Sequence, residues 1–353
     1  MSSIRREFET VGDGIGAPGE LTSGPSDYDE FVKRSRQGSI FAHRWWLDAV
    51  VPGRYEIAEI RRAHEILAVW PLVYRIADGI KEFGMPSMTQ KLGILFAPSD
   101  AKPAEVQSAE QKLATDLIKQ LGSPLSFHQN FHENFTDWLP FYWQGYAQTT
   151  RYTYVLENIS DHTALWNGMR PNHRRDIRRS QRLGLSVTDT IDLSHFLDLN
   201  RKTFSRQGRE PLAADEQISR MDAACLANAG RKIFAGVDRQ GRVHAAVYIA
   251  WADNTAYYLM GGSEPELRDS GAQLLALWEA IKFAGSVAKR FDFEGTMLPQ
   301  VERVFRGFGA KQLPYFSISK VPPVPTSLGG MLEASVKFRL RRMRKAVFGR
   351  LQR

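Results

Sequence analysis

From residue 290 the sequence RFDFEGTMLPQVERVFRGFG changes its hydrophobic period from two to nearly four. Phe291 and Phe293 alternate with Asp292 and Glu294, the pattern of a strand with two rings on one face and two carboxylates on the other. Gly295 ends it. Beyond the turn, Val301, Val304, Phe305 and Phe308 recur at helical spacing, Pro299 suits a first helical turn, and Gly309 stands where the helix closes. The carboxylates thus sit at the C-terminal end of a strand, where open α/β sheets bind their ligands.

The same alternation of periods organises the rest of the chain. Residues 232–238, 242–251 and 255–260 read as three strands joined by the tight turns DRQG and WADN, and residues 270–284 as a helix with Ser270 as N-cap and Leu274, Leu275, Trp278 and Ile281 inward. Residues 191–206 are an amphipathic helix. Upstream, YEIAEI, ILAVWPLVYRI and KLGILFAP are strand-like, Pro71 marks a bulge or edge, residues 102–121 a helix and SPLSFHQNF a strand. The segment WQGYAQ at 143–148 can be laid against FRGFGA at 305–310, each ending a helix before a last strand. Each half therefore runs helix, antiparallel meander, helix, strand, helix, strand: one α/β unit used twice. The expected organisation is a mobile arm over 1–37, one unit over 38–158, the clearer unit over 159–320, and a Pro-rich linker with a helix over 321–353.

This order resembles the GNAT acyltransferase fold, and YYLMGGS, RDSGAQLLALWEAIKFA, RFDFEGT and VFRGFGAKQ together resemble the FemAB-like acyltransferases with a BioF2-like acetyltransferase domain. The resemblance covers residues 38–320, best over 165–320, and implies a duplicated GNAT-like fold with two mixed-sheet units in tandem. It implies acyl-CoA as co-substrate, its pyrophosphate held at the turn Arg268, Ser270, Gly271, Ala272, with Gly261 and Gly262 at the splayed strand end. In this turn Gln273 replaces an expected small residue and Asp269 is acidic. Fem ligases instead take their acyl group from aminoacyl-tRNA. A non-catalytic scaffold of the same fold is the third alternative.

Acyl transfer to an amine or hydroxyl needs a base for the acceptor's proton, and Asp292 and Glu294 are the candidates; Tyr257, Tyr258 and Tyr315 are candidate acids. The first half has no carboxylate pair at the matching strand. The acceptor expected is an envelope-related sugar, lipid or peptide. No metal is called for.

Charge changes the picture in two places. The chain of 353 residues carries +8, but residues 331–353 hold eight Lys/Arg against one Glu, so the other 330 are nearly neutral. Leu332, Val336, Leu340, Met343, Val347 and Leu351 form one apolar stripe in that tail, which suits an anionic membrane face, docking on the body, or RNA. The second concentration is MRPNHRRDIRRSQRLGL, where Arg170, His173, Arg174 and Arg178 are candidate phosphate or acceptor ligands on a cationic helix face that includes Arg175, Arg179 and Arg182. The lone Cys225 lies in an apolar helical run and reads as core filler. The absence of an apolar leader or span predicts a cytoplasmic protein, peripheral at the inner membrane face if the tail binds lipid.

Overall fold

The computed structural model describes residues 27–77, 79–122, 124 and 126–320. Twelve strands make one sheet: β1 (Tyr55–Arg62), β2 (Glu65–Ala77), β3 (Ile80–Gly84), β4 (Leu95–Phe96), β5 (Phe127–Asn130), β6 (Ala147–Glu157), β7 (Ser186–Thr188), β8 (Gly230–Val237), β9 (Val243–Ala252), β10 (Thr255–Ser263), β11 (Arg290–Asp292) and β12 (Lys311–Lys320). The helices are α1 (Asp27–Arg34), α2 (Arg44–Val50), α3 (Pro103–Leu121), α4 (Leu139–Trp143), α5 (His162–Gly168), α6 (Pro171–Arg182), α7 (Leu193–Arg206), α8 (Asp215–Asn228), α9 (Ala272–Ala284) and α10 (Pro299–Gly307). Both halves show the predicted succession of meander, helix, strand, helix, strand, and the duplicated GNAT-like architecture is plain.

The order across the sheet is β1-β2-β3-β5-β12-β6-β11-β10-β9-β8-β7, with β4 paired to β2. The two units are therefore interleaved. The last strand of the first half, β6, lies between β12 and β11, and the last strand of the second, β12, lies between β5 and β6. Neither half closes its sheet without a strand from the other, which ties the two copies into one backbone hydrogen-bond network.

Four apolar clusters flank the sheet. On the second half, Ile177, Leu275, Trp278, Ile281 and Phe305 pack on one face, while α7 and α8 bury Phe196, Leu197, Ile218 and Met221 on the other. Trp46 and Leu47 of α2 join that second cluster, so the first half also packs under the second half's meander. On the first half, Leu117 of α3 and Phe141 of α4 enclose Trp70, Phe127 and Phe131. Pro71 sits where β2 changes neighbours from β4 to β3, and its carbonyl accepts from Gln129 Nε2 at 2.8 Å.

Three expectations are corrected. Residues 27–37 are not an arm: Tyr28, Phe31 and Val32, spaced to share one helix face, are buried against Ile66, Val69 and Leu95. Residues 1–26 and the proposed tail helix lie outside the described residues. The N-cap of α9 is Gly271, left-handed at φ 78°, rather than Ser270, which closes a short 3₁₀ turn. The glycine equivalent to Gly145 is Gly309 rather than Gly307, because both are left-handed and each immediately precedes the residue before its half's last strand.

Candidate active site

Among the described residues β10 and β11 pair in parallel only at Thr255↔Arg290, Ala256↔Phe291 and Tyr257↔Asp292. β10 then runs on to Ser263 along β9, while the chain after β11 turns toward β6, with Phe293 N–H donating to Tyr154 O at 2.9 Å. The strands part at their C-terminal ends, and the segment Asp292 to Gly295 forms one lip of the opening. Phe293 is fixed in the core by stacking on Phe305 at 4.9 Å. Glu294 and Gly295 come next, both in the left-handed region, at φ 59° and 66°. At Gly295 a Cβ would stand 2.0 Å from Tyr152 O, so glycine is required. Glu294 has no such excuse, and left-handed backbone costs a residue with a Cβ about 1–2 kcal/mol. Its N–H donates to Asp292 Oδ1 at 2.8 Å, which holds it there.

The two candidate carboxylates have different surroundings. Asp292 is 0% exposed and saturated: Thr153 Oγ1 donates to Oδ1 at 2.5 Å and Lys91 Nζ to Oδ2 at 2.8 Å. Lys91, itself 1% exposed, also donates to Glu133 Oε2 at 2.8 Å, and Arg290 Nη2 donates to Glu133 Oε1 at 2.5 Å. Burial opposes the charge on Lys91, but Asp292 and Glu133 outweigh it and hold the ammonium above the usual lysine range. Burial likewise opposes ionisation of Glu133, and Lys91 with Arg290 reverses the balance, keeping it well below the carboxylate range. His132, next in the cluster, is pushed down to about 4 by burial, with Lys91 and Arg290 adding to the push. Its Nδ1 accepts from Asn134 N–H at 3.1 Å, so its 3.6 Å approach to Glu133 is that of a neutral ring rather than an ion pair.

Glu294 is the counter-case. It is half-buried, its Oε1 is enclosed without a hydrogen-bond partner among the described residues, and burial drives its carboxyl well above the usual range. The neighbouring Asp292 charge adds to that rise and Lys91 opposes it. A carboxyl so placed holds a proton more tightly than an ordinary glutamate.

The turn before α9 is held from the side by α6. Ser180 Oγ donates to Ser270 O at 2.7 Å, a Cβ on Gly271 would lie 2.4 Å from that hydroxyl oxygen, and Arg179 Nη1 donates to Asp269 O at 3.4 Å. Ala272 is buried, Gln273 turns inward to donate to Tyr258 Oη at 3.1 Å, and Arg268 faces solvent beside Asp269 at 3.5 Å. Gly261 gives its carbonyl to Asn200 Nδ2 at 2.8 Å, and Gly262 admits α7 so closely that a Cβ would meet Asn200 N at 2.6 Å. Of the cationic residues, Arg174, Arg175, Arg178 and Arg182 with Pro171 line a concavity of about 320 Å³ on α6. Arg178 stacks on Trp166 at 5.3 Å. His173 is turned away from it: its Nε2 donates to Val304 O at 3.0 Å and its ring packs on Phe308. Arg170 caps α6, its N–H donating to Gly307 O at 2.9 Å, and its side chain is exposed.

Residues 168–296 match the family described as acetyltransferase (GNAT) domain. The second half is a GNAT-type acetyltransferase domain. Acyl transfer is therefore its enzyme class. Over 84% of this chain and 96% of that one, the fold is similar to the crystal structure of FemX, at 13% identity and a TM-score of 0.62. A conserved protein of unknown function from Bacteroides thetaiotaomicron is similar at 11% identity and a TM-score of 0.53, over 83% and 96%. A comparison with the curated proteins returns no match. No helix among the described residues is long and apolar enough to cross a membrane.

Lys91, Glu133, Thr153 and His132 are absent from the sequence-level candidates. They come from the first half, where Thr153 and Lys91 bond Asp292 directly and Glu133 and His132 cluster around Lys91, so no spacing announces them. The one local signal is a lysine heading the apolar run LGILF.

Proposed function

We propose that the chain transfers an acyl group from acyl-CoA to an amine or hydroxyl of an envelope-related sugar, lipid or peptide, with Glu294 as the proton acceptor. The observation that carries this is Glu294 itself: a strained carboxylate with a raised pKa and an unpartnered oxygen, at the lip of the only gap between β10 and β11 among the described residues. Asp292 is then a positioning residue, fixing the Glu294 backbone while Lys91 and Thr153 fix Asp292.

The donor turn fits a pyrophosphate in its electrostatics. The N-terminus of α9 begins at Gly271 in this turn, Arg179 borders it, and Gln273 is folded inward rather than across it. Bound acyl-CoA would supply an activated thioester carbonyl. As the acceptor nitrogen or oxygen bonds to that carbon and the carbon–sulfur bond breaks, Glu294 takes the acceptor's proton, and the departing sulfur takes one in turn. Gly271 and Ala272, buttressed by Ser180, orient the donor, and Tyr258 lies behind Gln273 as packing.

Aminoacyl-tRNA as the donor is the second reading, favoured by the arginine-lined concavity, where Arg174 and Arg182 have no carboxylate partner among the described residues. Thermal-shift measurements with acetyl-CoA, longer acyl-CoAs and charged tRNA separate the two, since a true donor raises the melting temperature by mass action. A shift with acyl-CoA is expected. A shift with charged tRNA alone replaces the first reading by the second, and no shift with any of them points to a scaffold.

A further inference from the structure

The sheet face that carries Asp292 continues past it toward the first half. Along β6, Thr153 and Arg151 point to one side as alternate residues, and along β12 so do Tyr315 and Ser317, with Arg151 opposite Tyr315 in the ladder. Thr153 identifies the side, since its hydroxyl donates to Asp292 Oδ1. Tyr152, Tyr154, Phe316 and Ile318 take the other face and pack into the cores. The turn that bears Glu294 runs directly alongside: a Cβ on Gly295 would stand 2.0 Å from Tyr152 O and 2.6 Å from Thr153 Cα. Arg151 therefore lies about 7 Å along the strand from the residue that anchors Asp292, next to the lip formed by Asp292 to Gly295.

The polar groups gathered here are donors without acceptors. Arg151 is half-buried and donates through Nε to Tyr315 Oη at 3.3 Å, while its two Nη groups have no carboxylate or other partner among the described residues. Tyr315, 4% exposed, accepts that bond with its oxygen, so its own proton is left over. His128 of β5 shares a 3.0 Å bond between Nε2 and Ser317 Oγ, and its Nδ1 has no partner among the described residues. A ring whose Nε2 accepts from that hydroxyl carries its proton on Nδ1. Burial and the Arg151 charge both hold this imidazole below the ordinary histidine range, which makes it a neutral donor rather than a second cation at neutral pH. A guanidinium withdrawn from water is costly unless something negative meets it. A free guanidinium fork with a phenol and an imidazole beside it is a donor set that a carboxylate or a phosphate satisfies.

We propose that Arg151, Tyr315 and His128 form a subsite for an oxyanionic group of the acceptor, a carboxylate or a phosphate, seated on the sheet beside Glu294. That the group belongs to the acceptor rests on the acyl-transfer reading above; that the subsite takes an oxyanion does not. An acceptor anchored on Arg151 is held two residues of strand from Thr153, with its amine or hydroxyl directed along β6 to the proposed base.

The test uses the full-length protein with isotope-labelled histidine, titrated with inorganic phosphate and with acetate, each against chloride at equal ionic strength. The imidazole signal of His128 is identified by its loss in His128→Gln. Saturable movement of that signal with phosphate, acetate or both is expected, and the anion that acts at the lower concentration tells a phosphate-bearing acceptor from a carboxylate-bearing one. At saturation the pKa of His128 should rise by about 0.5, because the anion offsets the Arg151 charge. Arg151→Gln should weaken binding on the order of tenfold, and Arg151→Lys, which keeps the charge and loses the fork, should recover part of it. Tyr315→Phe removes only the hydroxyl and should weaken binding about fivefold; it carries the same test should Arg151→Gln fail to fold. The proposal is overturned if His128 responds to neither anion beyond its response to chloride, or if a folded Arg151→Gln or Tyr315→Phe variant binds as tightly as the wild type. The readout needs no turnover, so a Glu294→Gln variant that kept full activity would remove the proposed base and leave the subsite standing.

Discussion

The two halves use one strand–turn–helix in opposite ways. In the second half Phe291 pairs with Leu156 of β6; in the first, Phe127 pairs with Lys320 of β12. That register puts His128 where Asp292 stands and Asn130 where Glu294 stands. Even the supporting hydrogen bond recurs: Thr153 Oγ1 donates to Asp292, and Ser317 Oγ shares a 3.0 Å bond with His128 Nε2. The halves diverge at the next residue. The first half continues into Phe131, which bridges Leu92 and packs with Phe135 and Phe141, so the gap between its strands is filled by rings. The second half continues into Gly295, and no bridge joins β10 to β11 beyond Asp292 among the described residues. Duplication supplied the frame twice, and side-chain volume at one turn separates a packed copy from an open one.

The sharpest way to break this contrast is Glu294→Gln. The kcat should fall by roughly 10²–10³-fold with folding intact, whereas Asn130→Glu in the other half should create no activity. In the wild type, kcat/KM should rise with pH through a pKa lying above the usual carboxylate range, because the base works only when deprotonated. The sign for stability is opposite: a carboxyl whose folded pKa is raised favours the folded state at low pH, and that contribution fades as pH climbs through the folded value.

Next in size, Lys91→Met should cost about 3–5 kcal/mol in denaturant unfolding, since it strands Asp292 and weakens the hold on Glu133. Adding Asp292→Asn should recover much of the stability but not the turnover, which would separate the positioning role from the structural one. Asp292→Asn alone leaves Lys91 with one carboxylate and should lose stability as well as rate.

A smaller effect distinguishes the equivalent hydroxyls. Thr153→Val should lower kcat about tenfold with KM little changed, and Ser317→Ala should leave kcat alone and shift stability by less than about 0.5 kcal/mol. Equal effects on turnover would remove the asymmetry between the halves.

The gentlest test is the pH dependence of folding. His132, held near 4 against an ordinary 6.5, binds fewer protons folded than unfolded between those values. Stability should therefore rise with pH across that window, and Glu133, whose folded pKa is depressed, adds stability that is lost as pH falls. His132→Gln should flatten the slope in urea melts taken from pH 4 to 6.5.

Much of this fold is legible in the chain alone. The alternation in RFDFEGT, the helical spacing after Pro299 and the repeated succession of elements identify the unit, its duplication and the strand end that carries the carboxylates, because periods of 2 and 3.6 are local properties of the chain. Burial of Cys225, whose thiol is pushed up to about 12 by its apolar surroundings, is also local information. The fate of the residues around Tyr28 is not: three apolar side chains in eight residues bury only when Ile66, Val69 and Leu95 are brought to meet them.

Only the tertiary structure makes Asp292 and Glu294 unlike. In sequence they are two acids one residue apart. In the fold, a strand exchanged between the halves delivers Thr153, and a lysine far up the chain closes on Asp292, while Glu294 is set apart by a left-handed backbone and keeps an enclosed oxygen with no partner among the described residues. The sequence by itself determined which strand would bear the two acids, since its pattern needs no partner to be read. Which of them is bonded on all sides and which is not depends on charges and donors distant in the chain, and only packing brings those together.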